Sequence, residues 1–334
     1  HSLKGFGVEE LKDGIIASGA ILHYLKDTEH PNLQHITSLQ RIDKDDFLWM
    51  DRFTIRNLEL LGQNDGTSLF KTINQTVSPM GARLLRRWLL MPQKNIKNIN
   101  ERLDVVEAFI KDTDTRTQLS QFIKQAGDVE RLAAKVPLKK ITPRELLQVA
   151  KGLQQTALIK TICLAAENSY LKRLGDSLNP CNFILEKILK QMHPSPPASI
   201  GKGSVIADEV NEELDELRAI ASGGKKYLNE LQQREAAATG ISSLKISFNN
   251  VFGYYLEVTN LHKNKVPESW IRKQTLANAE RYITPELKNY EEKIIGAESK
   301  ILDIEQEIFQ SLLNELQDYI APMQVNGHVM AVLD

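Results

Sequence analysis

The sequence has little of what would mark a secreted, metal-bound or membrane-spanning chain. Only two cysteines, Cys163 and Cys181, occur in 334 residues, too few for a zinc site and no framework of disulfides for a chain of this size. Both are expected as free thiols. No apolar run approaches the roughly 18 residues that cross a bilayer, and the first residues carry nothing like a signal peptide. An excess of one charge sign is missing too. The net charge of −1 excludes a surface that is basic all over and leaves only a local basic patch open. Catalytic arrangements are equally scarce. The seven histidines are scattered, and His30 and His35 flank Pro31 with no cysteine or paired acid nearby. Asp45-Asp46 and Glu291-Glu292 are adjacent carboxylates that point apart in helix or strand. GKGS at 201–204 and GGKK at 223–226 lack the spacing of a phosphate-binding loop. No nucleophile with an evident base emerges, so the chain is expected to have no enzymatic activity of its own, which sets aside a nuclease or ATPase.

What is present is helix. With 42% hydrophobic and 25% charged residues the composition is that of a soluble globular chain. Val210, Leu214, Leu217, Ala221, Gly224, Leu228 and Leu231 alternate steps of four and three, the spacing of a coiled-coil seam. Ile294, Ala297, Ile301, Ile304, Ile308, Leu312, Leu316 and Tyr319 nearly repeat it. Between these two arms, residues 240–285 are the one stretch that turns strand-like. Leu244, Ile246 and Phe248 alternate with Lys245, Ser247 and Asn249; Tyr254, Leu256 and Val258 return across Asn249-Asn250 and Gly253. A second pair runs from Ile271 to Leu276 and from Glu280 to Ile283. The predicted fold is therefore mainly α: a multi-helix core, long antiparallel coiled-coil arms, and a small antiparallel β module inserted at their tip. Arms of roughly 30 residues would each be about 45 Å long.

Earlier in the chain a helix is predicted from Val8 to Leu25, then an extended Phe47-Leu48-Trp49-Met50, and Asp51 as N-cap of a helix carrying Ile55, Leu58 and Leu61. Ser78 and Pro79 read as cap and first residue of the next, whose apolar face is Leu84, Leu85, Trp88 and Leu89, with Arg83, Arg86 and Arg87 mostly opposite. These arginines are expected on a solvated face pairing with local carboxylates. Helix continues over 96–111 and 116–135, from a Thr142 cap through Ala165, and over 183–192. The loop HPSPPASIGKGS, 193–204, precedes the first arm. Gly240 ends that arm in a left-handed conformation, and Thr284-Pro285 caps and starts the second.

Several of these stretches share wording with one family. MDRFTIRNLELL followed by TSLFKTINQTVSPMGARLLRRWLLMP, the segment DVERLAAKV, the run NEELDELR, and above all FGYYLEVT and RKQTLANAERYITPEL resemble the core, lever and clamp of the MutS family of DNA mismatch-repair proteins. The resemblance covers nearly the whole chain. It implies the end of a connector domain and linker helix at 1–42, core and first lever arm at 43–239, the clamp at 240–284, and a second lever arm returning to the core at 285–334. It also implies what is missing: no Phe is followed two positions on by Glu, the family's mismatch wedge, and no Walker A loop of its ATPase domain occurs. A start at His1-Ser2 without Met and an end at Asp334 agree with a piece of a longer protein. By this resemblance the parent is a bacterial, cytoplasmic, nucleoid-associated ATPase that uses ATP and Mg. It forms a homodimer around mismatched double-stranded DNA and works with partners such as MutL, with no membrane. The piece itself is expected to need no cofactor.

The β module has its own chemical signature. Over 240–290 seven basic side chains stand against four acidic ones, a local +3. Asn249, Asn250, Gln274, Thr275 and Asn278 interleave with them, donors of the kind that reach phosphate oxygens without reading sequence. The predicted DNA-binding residues are Arg272, Lys273, Gln274, Thr275 and Asn278 near the tip turn, with Lys245, Asn249, Lys263 and Lys265 more peripheral. Tyr254, Tyr255 and Tyr282 are expected in the module's core. The competing expectation is a helical coiled-coil scaffold whose β tip binds another protein.

Overall fold

The computed structural model of the chain describes residues 11–28, 36, 46–62, 67–249 and 253–334. They are mainly α-helical with one small antiparallel sheet, as the sequence predicts. The chain divides into two compact units, His1–Ser199 with Gln310–Asp334, and Ile200–Phe309.

The first unit contains α1 (Lys12–Asp27), α2 (Arg52–Asn57), α3 (Leu69–Ile73), α4 (Pro79–Leu90), α5 (Ile96–Lys111), α6 (Thr113–Ala126) and α7 (Val129–Lys135). It continues with α8 (Pro143–Ala165), α9 (Ser169–Ser177), α10 (Asn182–Gln191) and, from the other end of the sequence, α13 (Ile320–Leu333). Side-chain caps set the starts. Asp51 accepts from the Thr54 N–H at 2.7 Å and Ser78 from that of Gly81 at 3.0 Å, and Thr142 with Glu145 forms a reciprocal capping box; each cap stabilises its helix by about 1 kcal/mol. The core centres on α8, where Leu146, Val149, Ala150, Leu153 and Ile159 are all fully buried, packed by α6, α9 and α10. Cys163 on this helix and Cys181 are free and buried, and burial pushes both thiols up to about 11. Two polar ties bring α13 into the unit. Buried Asn326 exchanges hydrogen bonds with the Asn179 backbone at 2.9 and 2.7 Å, and the Asp334 carboxylate accepts from Val77 N–H, Ser78 N–H and the Ser78 hydroxyl.

The second unit holds α11 (Glu212–Thr239), the strands β1 (Lys245–Asn249), β2 (Gly253–Thr259), β3 (Ile271–Thr275) and β4 (Ala279–Ile283), and most of α12 (Pro285–Leu316). Three pairs show α11 and α12 running antiparallel: Arg218 to Glu305, Tyr227 to Tyr290 and Arg234 to Glu286. The seam residues Leu214 and Leu231 on α11 and Ile294 and Ala297 on α12 are buried. Near its base Glu305, 2% exposed, accepts from the Val205 N–H at 2.9 Å and from Arg218 at 2.6 Å, so this buried charge is both paired and hydrogen-bonded.

Four boundaries differ from the sequence reading. The described part of the first helix starts at Lys12, and the predicted residues 8–10 lie outside the described residues, as do Asp45, Asn250, His30 and His35. α2 stops at Asn57, because Glu59 adopts φ 49° and the reversal tucks Leu60 inward, 7% exposed. The predicted helix over 116–135 is broken at Gly127, after which Asp128 caps α7. Finally α12 ends at Leu316, so Tyr319 closes a 3₁₀ turn, Gln317–Tyr319, instead of extending the seam.

Candidate nucleic-acid interface

The sheet has strand order β1-β2-β4-β3, all antiparallel. Register sorts its side chains. Ile246 opposite Leu256, and Leu256 opposite Tyr282, share the face that packs with Leu231, Ile241, Leu244, Val258, Trp270 and Leu287 into one hydrophobic cluster. Residues at the alternate positions, Lys245, Tyr255, Glu257 and Arg281, take the other face. There Arg281 is the hub: its guanidinium lies 4.4 Å above the Tyr255 ring, donates from Nε to Glu257 at 3.2 Å and from Nη1 to the Gln274 amide oxygen at 2.8 Å. The last bond depends on a bulge. The β3–β4 register shifts between Arg272 and Gln274, so Lys273 is the extra residue and Gln274 comes to sit opposite Arg281.

Glycine is required at two places. Gly240 ends α11 at φ 64°, and Gly253 opens β2 at φ 76° where an added Cβ would meet the Glu291 carboxylate, 1.6 Å from Oε1. Beyond β2, a 3₁₀ turn, Asn260–Lys265, is tied to the β3–β4 turn. The Asn260 N–H donates to the Asn278 carbonyl at 3.2 Å and its amide to the Ala277 carbonyl at 2.9 Å.

Around that junction the structure gathers part of the predicted set. Arg272, Lys273, Thr275 and Asn278 are exposed on β3 and the turn, and Lys263 on the 3₁₀ turn. Arg272 and Lys263 both act on Glu280, which is 8% exposed; Arg272 Nη1 lies 3.3 Å from it. The hydrogen bond from the Tyr282 hydroxyl, aided by Arg272 and Lys263, holds the Glu280 carboxyl below the usual glutamate range. Burial first, and then the Glu280 acceptor, push the Tyr282 phenol up to about 12. Gln274 is half-buried with its oxygen engaged, leaving its NH2 as donor. Lys265 donates to the Gly240 carbonyl at 3.2 Å.

Lys245 and Asn249 are not brought into this group. They lie on β1, at the opposite edge of the sheet from β3, and three strand spacings separate those edges by about 14 Å. Lys245 faces Glu257 in register. Tyr255 and Tyr282 are buried and Tyr254 half-buried; Phe248 keeps the predicted alternation, opposite Tyr254 in register, but is 52% exposed and edge-on to Tyr254 at 5.0 Å. Sequence reasoning passed over Arg281. Its signal was an arginine alternating with the core position Tyr282, on the face where Glu257 also falls.

The arrangement supplies cations and neutral donors. Among the described residues no group of three His, Cys, Asp or Glu side chains is placed to hold a metal, and no helix is long and apolar enough to cross a membrane. Of the α4 arginines, Arg83 is engaged by Asp128 and Glu130, each at 2.7 Å.

Comparison with known proteins adds the lineage. The family model described as MutS domain III matches residues 53–334. Relatives named DNA mismatch repair protein MutS are 52% identical in Parabacteroides distasonis, 54% in Phocaeicola vulgatus and 52% in Flavobacterium johnsoniae, each across 100% of this chain. The chain spans 38–39% of the length of these relatives. A family model over most of the chain and matches along its whole length agree with the arms-and-sheet architecture, and the chain belongs to the MutS family.

Proposed function

We propose that this chain is the core, lever and clamp of a DNA mismatch-repair protein, and that its β sheet grips duplex DNA by the backbone without reading sequence. The observation that carries this is the exposure of Arg272, Lys273, Thr275 and Asn278 on edge strand β3 and its turn, with Lys263 of the adjoining 3₁₀ turn acting beside Arg272 on Glu280. Lys and Arg with hydroxyl and amide donors suit phosphate oxygens and leave base edges unread. Gln274 offers its NH2 and Lys265 its charge at the margin; Lys245 and Asn249 would meet a separate phosphate from β1. In this reading 1–42 ends a connector domain, 43–239 is core and first arm, 240–284 the clamp, and 285–334 the returning arm. The longer protein would be a cytoplasmic, nucleoid-associated homodimer on mismatched DNA. It would use ATP and Mg in a domain outside this chain and act with MutL, and the antiparallel α11–α12 pair would couple clamp to ATPase.

The test is salt-dependent anisotropy of a labelled duplex. With about four phosphates neutralised, log affinity falls against log salt with a slope of about −3.6, and Arg272→Ala with Lys273→Ala reduces it to about −1.8. Salt-independent binding, or an unchanged slope in the double variant, refutes the clamp. A second reading, a scaffold whose β tip docks another protein, draws on Leu261, Ile271 and Phe248, which are 86%, 54% and 52% exposed on the same module. Capture of a protein partner that depends on Leu261, in a sample that ignores duplex, would favour it.

A further inference from the structure

We infer that a cleft in the first unit, lined by α2 and α4, binds a phosphoryl group. The cleft measures about 420 Å³ and is lined by Arg52, Arg56, Arg86 and Thr67 over Ile55 and Leu61, with Glu59 the one acid among its described lining residues. Three arginines from two helices therefore line one space. Arg52 and Arg56 lie one turn apart on α2, a like-charge spacing that costs about 0.2–0.5 kcal/mol in a helix unless something neutralises it.

Among the described residues nothing does so. Among the described residues no carboxylate forms an ion pair with Arg52, Arg56 or Arg86. The contrast on α4 is direct: Arg83, one turn before Arg86, has both Asp128 and Glu130, whereas Arg86 has neither. The ligand's chemistry follows from the donors. Each guanidinium presents a planar fork of N–H groups and stays charged at every working pH. A carboxylate offers two oxygens in one plane, enough for one or two forks. Three forks and the Thr67 hydroxyl match the tetrahedral oxygens of a phosphoryl group. The half-buried Ile55 and Leu61 exclude water from one side and so strengthen the attraction.

The same chemistry is offered by a free phosphate compound and by a nucleic-acid backbone, and two titrations of the full chain separate them. In the first, calorimetry with pyrophosphate gives one saturable site whose affinity falls at least tenfold in Arg56→Gln and in Arg86→Gln. Lys273→Ala leaves it unchanged, and Arg86→Lys, which keeps charge but loses the fork, falls between. In the second, a labelled duplex is titrated at several salt concentrations. A slope reduced by about 0.9 in Arg86→Gln assigns the phosphate to the backbone. An unchanged slope beside a positive pyrophosphate result assigns a free compound. These side chains are exposed, so unchanged circular dichroism is expected in every variant. The proposal is overturned if pyrophosphate binds wild type and both glutamine variants equally, or if no pyrophosphate heat is seen and the duplex slope is unchanged. Lys273→Ala separates the pyrophosphate arm from the β sheet's own phosphate contacts.

Discussion

Two tyrosines of the second unit donate their hydroxyls to carboxylates, Tyr282 to Glu280 and Tyr227 to Glu286 at 2.6 Å. Tyr227 is pushed up to about 12 chiefly by that acceptor, and Tyr282 to about 12 by burial and then its acceptor. Both lie above the ordinary phenol value of about 10, so the stability their neutral forms contribute is complete below that pH and is lost as pH rises through about 12. The carboxylates have the opposite sign. Tyr282 holds Glu280 low, and Arg234 with Tyr227 holds Glu286 low, so their contribution is present above the usual glutamate range and lost as pH falls through the lowered values. Ultraviolet titration of the folded chain should therefore show a late tyrosinate step that shrinks in Tyr227→Phe and again in Tyr282→Phe. A single step near the ordinary value would contradict the geometry. Residue-scale pairing of this kind was largely hidden in the sequence. That Tyr282 would be buried followed from the alternation of its strand, but its acid partner could not be chosen among the module's glutamates. The Asp334 carboxylate accepts from Ser78, the N-cap of α4, 256 positions earlier in sequence, a partnership no local pattern announces.

At the scale of elements, local chemistry was far more telling. The caps at Asp51, Ser78, Thr142 and Thr284, the left-handed Gly240 and all four strands follow from neighbours a few positions apart. Where prediction slipped, at the end of α2 and the break at Gly127, a tertiary demand overrode a continuing helical pattern. The reversal at Glu59 buries Leu60, and Asp128 leaves the helix to cap α7 and receive Arg83. The arms also carry a testable weakness. Gly223 in α11 and Gly296 in α12 sit in helix interiors where an added Cβ meets nothing within 4 Å. Each glycine there costs roughly 0.5–1 kcal/mol relative to alanine through backbone entropy. Gly223→Ala with Gly296→Ala should therefore raise the denaturation midpoint by about 1–2 kcal/mol of stability. Gly240→Ala, which has room but must hold φ 64°, should lower it by roughly 1–2 kcal/mol. Equal effects of the same sign at all three positions would show that helix propensity is not what limits the arms.

For the whole chain, the near-zero net charge conceals two units whose interiors are built differently. The first is a helical core around α8, the second a cluster of strand and arm residues including Leu256, Val258 and Trp270. A chain whose cores are separate is not bound to unfold in one step, and two-state behaviour is a property of single domains. Leu153 and Leu256 are both fully buried, one in each unit. Truncation of either to alanine removes about 2–5 kcal/mol from its own core. Thermal unfolding followed by calorimetry should resolve two transitions, with Leu153→Ala lowering one and Leu256→Ala the other. Duplex binding assayed between the two midpoints would then report on whichever unit remains folded. If the sheet is the grip, binding is lost with the transition that Leu256→Ala lowers and survives the one that Leu153→Ala lowers. A single transition shifted equally by both variants would mean that α12, which runs from the second unit into the first, joins them into one cooperative body.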